Sequence, residues 1–435
     1  MRCLVTGAYG FIGSHVCRAL ARRGAEVIGA GRDVALGRRL LPDLAWIACD
    51  FNTDLSPEVW RPRLDGMDAI VNCVGILQSS RTDRSERIEV GATAALFEAA
   101  AQAGIQRFVH LSAMSVEDEI ATDYARFKLA AERTLQTTDL NWLIIKPSLV
   151  VGSGSYGGTS MIRGLAGLPY VTPLPGGGRQ VFQPIAMTDL AEGIARLAEA
   201  DAPKRTTLYA PGPETVTLGE VVVKTRRWLG FPEARAVAIP EPVIRAGLRL
   251  GDVWVWLGNR TALCTTAFRQ MAYRETIDPA PFAAATGLTL KTLDATLLET
   301  PATLQDRLHA RLSWAGFGLR LGLAASWIWN GVLVLWPPLL AAIFKTSWEI
   351  NLSQMALLVV AFGGTLVELI CGILFLRDRW VRPAGRTLIA VYLLFLVAAA
   401  VYAVGWGANL FYLHLDMVVV KILAVAVVLG LAEER

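Results

Sequence analysis

Three side chains in the first third of the chain have the types and spacing to move a proton on and off an oxygen: Ser112, Tyr124 and Lys128. Tyr124 and Lys128 are four residues apart, which on a helix stacks them on one face. A phenol titrates near about 10 in water, too high for efficient proton exchange at neutral pH. A lysine ammonium beside it favours the phenolate and lowers that value. Ser112, upstream, can hold a carbonyl or alcohol oxygen by a hydrogen bond while Tyr124 gives or takes the proton. Such chemistry needs a hydride carrier, and other elements must bind and aim it.

The run Arg107-Phe108-Val109-His110-Leu111 is a buried-strand pattern that delivers Ser112 to the C-terminal edge of a sheet, where open α/β folds bind ligands. His110, within that strand, reads as a core residue. At the N-terminus Arg2-Cys3-Leu4-Val5 is a strand pattern followed by Thr6-Gly7-Ala8-Tyr9-Gly10-Phe11-Ile12-Gly13. Phe11, Ile12, Val16 and Leu20 then share a helical face until Gly24. In this strand–turn–helix context Gly7 permits the tight turn, Gly10 lets backbone N–H groups approach a pyrophosphate, and Gly13 lets helix and strand pack closely. The helix start adds the positive end of its dipole. The expected carrier is a pyridine dinucleotide, with Gly7, Tyr9, Gly10, Phe11, Ile12 and Gly13 around its phosphates.

The second strand, Glu26-Val27-Ile28-Gly29-Ala30, leads to Gly31-Arg32-Asp33. Arg32 can pair with a ribose 2′-phosphate, which points to NADP. Asp33 keeps NAD as the alternative, since a small backbone shift would present its carboxylate to a ribose hydroxyl. Asp50, followed by Phe51, comes after the strand Trp46-Ile47-Ala48 and can meet the adenine. Cys73-Val74-Gly75 ends the fourth strand with small residues that let the cofactor lie close. The glycine-rich loop Val150–Ser155 is expected to line the nicotinamide half. Pro173–Gln180 is expected as a second loop with Gly176-Gly177-Gly178 at its tip, and Asp189 as the N-cap of a following helix.

These residues resemble the short-chain dehydrogenase/reductase superfamily in its extended and atypical branches, over the first ~300 residues. Asn72-Cys73-Val74-Gly75, Phe108-Val109-His110-Leu111-Ser112-Ala113, Lys146-Pro147-Ser148, Phe182-Gln183-Pro184 and Gln305-Asp306-Arg307 are similar to the atypical group that includes the NADPH-binding accessory subunit of respiratory complex I. The resemblance implies a doubly wound Rossmann sheet, NADP(H), a small substrate lobe (214–300), and Pro147 and Ser148 beside the cofactor. It also implies that a member can hold the nucleotide without turning it over. A nucleotide-sugar epimerase or dehydratase uses the same front; Asp123 is the candidate extra acid/base for a dehydratase, and helix capping is the simpler account of it.

After 1–306 the chain changes character. Four apolar runs, Leu321–Phe344, Gln354–Leu376, Thr387–Trp406 and Leu410–Leu431, are each long enough for a hydrocarbon core that needs about 20 apolar residues per helix. They predict an all-α four-helix transmembrane bundle over 312–435. Arg307, Arg311 and Arg320 precede the first run, and Arg377, Arg379, Arg382 and Arg386 lie between the second and third. Lys345 is the one basic residue of the first outer loop, and Gly407–Asn409 has none. The positive-inside rule then puts the enzyme domain and the C-terminus in the cytoplasm, at the plasma or inner membrane of a bacterium. Asn330, Glu368, Asp416 and Lys421 fall at membrane depth. Glu368 and Lys421 have matched depths and are expected to pair or to line one pocket. Span count and topology resemble the DoxX-like membrane family, some of whose members handle quinones. Val253-Trp254-Val255-Trp256, inside the lobe, suits either a membrane surface or a lobe core.

The net charge of +4 gives no basic face for nucleic acid. Four histidines and six scattered cysteines form no ligand-like cluster, so no metal site is expected and the thiols read as reduced. The N-terminus shows no signal-peptide pattern. The reading is a membrane-anchored NADP(H)-dependent oxidoreductase whose partners are membrane lipids and an apolar substrate: a lipid, an isoprenoid or a quinone, with a membrane redox partner as a further candidate. The alternative class is a non-catalytic NADP(H)-binding module of a membrane complex.

Overall fold

The computed structural model describes residues 1–77, 79, 83–199, 201–259, 261–271, 276–334, 352–406 and 415–433; among these, the side chains of 334, 352–361, 398–399, 401–406, 415–417 and 432–433 are not described. Parts of the expected spans (335–344 and 410–414), Lys345, the loop Gly407–Asn409 and the side chain of Asp416 lie outside the described residues. The chain divides into two compact units, one of Met1–Trp256 with Thr261–Arg311, the other of Leu257–Arg260 with Leu312–Arg435.

Seven parallel strands build the first unit: β1 (Arg2–Thr6), β2 (Glu26–Gly31), β3 (Ala45–Ala48), β4 (Ala69–Asn72), β5 (Arg107–Leu111), β6 (Trp142–Pro147) and β7 (Thr206–Ala210). Their order is β7-β6-β5-β4-β1-β2-β3. The winding reverses between β1 and β4, which opens a crevice at their C-terminal ends. Apolar runs such as Cys3-Leu4-Val5 and Phe108-Val109 are buried on both faces, as a sheet covered by helices on each side requires. On one face Val16 and Leu20 of the Gly13–Arg22 helix pack with Leu190 and Ile194 of the Met187–Leu197 helix and with Phe282. On the other, Trp60, Leu96, Phe97 and Phe108 form a second core.

The lobe differs from the stretch expected for it. The Gly158–Gly167 helix packs against the Leu218–Trp228 helix, where Arg226 Nη1 donates to the carbonyls of Ala166 (2.8 Å) and Leu168 (2.7 Å). Val171–Pro175 is a strand paired in parallel with Arg235–Ile239, not the start of a loop. Gly176, Gly177 and Gly178 follow it, all with positive φ. Phe282, in contrast, belongs to the main core: its ring sits so close to Gly193 that an added Cβ there would lie 2.6 Å from it. Asp189 does not cap its helix. The N-cap is Ala186, and the Asp189 carboxylate instead accepts the Lys291 N–H at 2.7 Å, a long-range contact that local spacing does not reveal.

Helices Leu304–Val334 (from Leu312), Leu352–Phe375, Asp378–Trp406 and Leu415–Glu433 make the second unit. Its core holds Ala324, Trp327, Phe375, Leu388 and Val425. Glycines set close approaches between helices: a Cβ on Gly331 would lie 2.6 Å from Leu369, and one on Gly385 2.8 Å from Leu429. Lys421 Nζ lies 3.0 Å from Glu368 Oε1, the pairing expected from their matched depths. Two residues not foreseen complete the group: Tyr392 OH donates to the same oxygen (2.6 Å), and Trp327 Nε1 donates to Tyr392 OH (2.6 Å). Among the described residues one helix segment, Asp378–Val397, is long and apolar enough to cross a membrane; Phe362–Phe375 and Val418–Leu431 are shorter apolar stretches.

Candidate active site

The floor of the crevice is a row of in-register polar side chains at the ends of β1, β4 and β5. Thr6 Oγ1 donates to Asn72 Oδ1 at 2.7 Å, which also accepts the Val74 N–H at 3.1 Å. Asn72 thereby fixes the Cys73-Val74-Gly75 turn. Its Nδ2 lies 3.2 Å from His110 Nδ1. Burial, with Lys128 adding to it, holds the His110 imidazole well below its ordinary value, so it is neutral and accepts from Asn72. His110 is therefore part of the support, not a proton donor to substrate.

The glycine turn has no room for side chains. Gly7 has φ +69°, and its Cβ would meet the Cys73–Val74 backbone at 3.2 Å; Cβ atoms on Gly10 and Gly13 would meet Gly7 O at 2.9 and 2.2 Å. No side chain caps the Gly13–Arg22 helix, so the positive end of its dipole faces the turn without a competing side-chain acceptor. The turn thus fits a diphosphate. Phe11 is half-buried beside the later glycine loop, 3.7 Å from the position of a Gly154 Cβ, and His15 Nε2 lies 3.1 Å from Ser153 Oγ. This loop accordingly reaches the glycine-turn helix.

At the adenosine side Tyr9 OH accepts the N–H groups of Arg32 (3.1 Å) and Asp33 (3.2 Å). It closes over Gly31, where a Cβ would lie 2.4 Å from the ring. Arg32, half-exposed, pairs with buried Asp83 at 2.6 Å, and Asn52 Nδ2 donates to the same Asp83 oxygen at 3.0 Å. Asp33 Oδ1 caps the Val34–Leu40 helix through the Leu36 N–H (2.8 Å), which leaves the alternative reading of its carboxylate open. Asp50 accepts from the backbone and side chain of Asn52 (3.0 and 3.2 Å), with Phe51 buried edge-on to Trp60.

Tyr124 and Lys128 lie in the Asp123–Gln136 helix, whose N-cap is Thr122. Asp123 is exposed and pairs with Arg126 at 2.9 Å, so it is neither the cap nor a partner of the tyrosine. Lys128 is buried under the Gly75 turn: a Cβ on Gly75 would lie 3.2 Å from Nζ. Its ammonium donates to Leu111 O (3.1 Å) and pairs with Glu89 (3.1 Å), whose other oxygen accepts the Ile76 N–H at 2.7 Å. Glu89 comes from a π-helical run, Arg87–Ala92, a distortion that recurs at functional sites. Burial works against the Lys128 charge, but Glu89 and Tyr124 outweigh it and hold Lys128 above the usual lysine range. Lys128 Nζ stands 6.0 Å from the centre of the Tyr124 ring. Burial pushes the Tyr124 phenol up, Lys128 opposes this, and Glu89 and Glu132 reinforce it. The pull of Lys128 on the phenol is thus downward, as expected, but burial outweighs it.

Ser112 is buried and donates to Glu132, which pairs with Lys146 at 3.1 Å; Lys146 in turn pairs with Glu117 at 3.1 Å, and Tyr209 OH donates to Glu117 at 2.9 Å. Burial pushes Glu132 up against the opposing pull of Ser112 and Lys146. Holding a carbonyl oxygen requires the Ser112 proton to turn from Glu132 to the substrate. Pro147 O accepts the Met114 N–H (3.0 Å) and Ser148 N–H donates to Ala210 O (3.2 Å), which fixes the end of β6 beside Ser112. The sequence reading missed Asn72, Glu89, Glu132 and Asp83. Of these only Glu132 left a local sign, continuing the four-residue spacing of Tyr124 and Lys128.

The first unit is a Rossmann domain with a nucleotide-type glycine turn. Residues 3–209, a little under half of the chain, match the NAD dependent epimerase/dehydratase family. The chain is 26% identical over 266 residues to the mitochondrial NADH dehydrogenase [ubiquinone] 1 alpha subcomplex subunit 9 of Rattus norvegicus, covering 59% of this chain and 65% of that protein, just under two thirds of its length. It is 25% identical over 260 residues to ceramide reductase of Caulobacter vibrioides, covering 59% and 78%. In fold it is similar to dTDP-glucose 4,6-dehydratase from Bacillus anthracis in complex with NAD, with 16% identity and a TM-score of 0.54 over 72% of this chain and 98% of that one.

Proposed function

We propose that the chain is a membrane-anchored, NADP(H)-dependent oxidoreductase that reduces a carbonyl on a lipid-like substrate. The observation that carries this reading is the grouping of Tyr124, Lys128 and Ser112. Lys128 Nζ stands 6.0 Å from the Tyr124 ring and donates to the carbonyl of Leu111, the residue before Ser112, while burial keeps the phenol above its usual range. A protonated phenol is a proton donor. In the reductive direction the nicotinamide arrives uncharged and does not oppose that state. The bound dinucleotide would supply hydride, while Ser112 orients the oxygen and Tyr124 delivers the proton to it. Arg32, the cation at the end of β2, favours a 2′-phosphate once Asp83 yields it.

Two further observations support the apolar substrate and the anchor. One relative is named a ceramide reductase, an enzyme of lipid. The helical unit leaves Trp329, Leu366, Ile370, Leu394, Val397 and Leu423 exposed, a concentration of apolar side chains that suits lipid contact. Four spans with the first unit and C-terminus cytoplasmic agree with the arginines of Arg377–Arg386. The experiment is NADPH oxidation by the full chain in phospholipid nanodiscs with long-chain keto lipids and, separately, ubiquinone. Turnover with a keto lipid, lost at least about 100-fold in Tyr124→Phe with NADP(H) binding retained, is expected. A variant that keeps full turnover would refute the assignment of Tyr124. Binding without oxidation of any such acceptor would favour the non-catalytic module.

A further inference from the structure

The Glu241–Trp256 helix divides into three faces. At about 100° per residue, Leu248, Gly251 and Val255 share one; they are buried, with Val255 against Cys264 and Ala267 and Gly251 so close to Leu263 that a Cβ would lie 1.5 Å from its carbonyl. Glu241, Arg245, Arg249 and Asp252 share a second, polar face. The third carries Val243, Leu250 and Val253, which are 60%, 72% and 55% exposed, with exposed Ala246 and Gly247 between them. Trp256 ends the helix 64% exposed. A helix pinned to its domain by one narrow face while a second apolar face stays open is built to cover another apolar phase.

The chain itself says which phase. Three residues beyond Trp256, Asn259 folds with the helical unit: it donates to Leu376 O (2.8 Å) and accepts the Asp378 N–H (2.8 Å) and Arg320 Nη2 (3.0 Å). That is the polar turn joining two apolar helices. The amphipathic helix is thus continuous in the chain with the apolar helical unit. Arg245, paired with Glu241 at 2.7 Å, and Arg249 stand on the polar flank beside Glu241 and Asp252, where guanidinium groups can meet headgroup phosphates. Tryptophan prefers the same layer.

We propose that the Glu241–Trp256 helix is an interfacial lipid-binding element, its Val243–Leu250–Val253 face seated at the headgroup–acyl boundary of an anionic bilayer and its arginines at phosphate level. This rests on the membrane reading given above. The test is nitroxide labelling of the full chain, through Leu250→Cys, Val253→Cys, Arg245→Cys and Leu394→Cys, in vesicles of phosphatidylcholine and phosphatidylglycerol. Accessibility to oxygen, which enters lipid, is compared with accessibility to a nickel chelate, which stays in water. Labels at 250 and 253 are expected to favour oxygen severalfold over the label at 245. Free access of nickel to 250 would place the face in water and overturn the proposal. Shielding of 250 from both reagents would mean that protein covers it, a second copy or another chain, and would overturn it equally. Lipid contact at 250 with a water-exposed label at 394 would uphold the interfacial helix while refuting the helical anchor.

Discussion

Glu89→Gln removes one charge from the buried pair under the Gly75 turn and little else. The amide oxygen can still accept the Ile76 N–H, now 2.7 Å from Glu89, so the loop keeps its support. Lys128 loses the carboxylate at 3.1 Å. Both side chains are nearly inaccessible, and breaking a buried pair by deleting one partner costs about 3–5 kcal/mol. For a domain of this size that is a melting temperature lower by about 6–10 °C. The pH dependence carries the sharper test. In the wild type, Lys128 is held above its unfolded value, so its contribution is complete below the usual lysine range and is lost as pH rises through the raised folded value. In the variant, burial acts on Lys128 with the larger opposing charge gone, and the folded value drops below the unfolded one. Its penalty is then complete at low pH and relieved as pH rises. The melting-temperature gap between the two proteins must therefore narrow as pH rises through and above the usual lysine range of about 10. Thermal scans of wild type and variant in the same nanodiscs measure it. A gap that stays constant across that range would falsify the pairing argument. The same substitution removes a charge that raises the Tyr124 phenol, so the basic limb of any turnover profile shifts to lower pH.

Arg32→Ala should weaken NADPH binding by about 10–100-fold, the loss of a charge-assisted contact, and leave NADH binding unchanged; Asp83→Asn, which frees Arg32 from its partner at 2.6 Å, should shift preference further toward NADPH. Calorimetric titration with both cofactors checks the pair. Gly13→Ala puts a Cβ 2.2 Å from Gly7 O, a backbone clash of about 1–3 kcal/mol that should open the turn and abolish dinucleotide binding in the same titration. Glu368→Leu and Lys421→Leu should each destabilise the helical unit by about 3–5 kcal/mol, with the double variant recovering part of the loss; additive losses would show that the two side chains are not coupled.

Local patterns made much of the first unit legible. Alternation of short apolar runs with glycine turns predicted the strands that became β1, β2 and β5, and the four-residue spacing put Tyr124 and Lys128 on one helix. What was not legible depends on partners distant in sequence. Arg32 reads as an open phosphate ligand until Asp83, 51 residues on, is seen to pair with it. Lys128 does depress the phenol, as its spacing implies, but the burial that outweighs it comes from segments far away in sequence. Asp189 reads as a helix cap because an acid near a helix start usually is one, yet Lys291 supplies its hydrogen-bond donor. In each case the residue type was right for its surroundings, and the outcome came from contacts that period and spacing do not encode.

The chain uses a lysine–glutamate pair in each unit, and the comparison separates a site from a support. In the helical unit each of the four helices contributes one member of the group: Trp327, Glu368, Tyr392 and Lys421. Glu368 Oε1 accepts from both Tyr392 and Lys421, and Lys421 stands 5.6 Å over the Tyr392 ring, so these contacts tie the helices to one another. On the proposed membrane reading, helices in lipid gain nothing from burying apolar surface against each other, and polar contacts with glycine-mediated approach decide how they pack. Registering four helices is reason enough for that group to exist. The Lys128–Glu89 pair has no such task, because the sheet around it is already held by two large apolar cores. It is buried beside the crevice, beneath a glycine that allows the ammonium to approach the turn, next to a phenol and one strand end from Ser112. A charge pair placed where packing does not call for one, and where it acts on a neighbouring phenol, supports the proposed role of Tyr124 and Lys128.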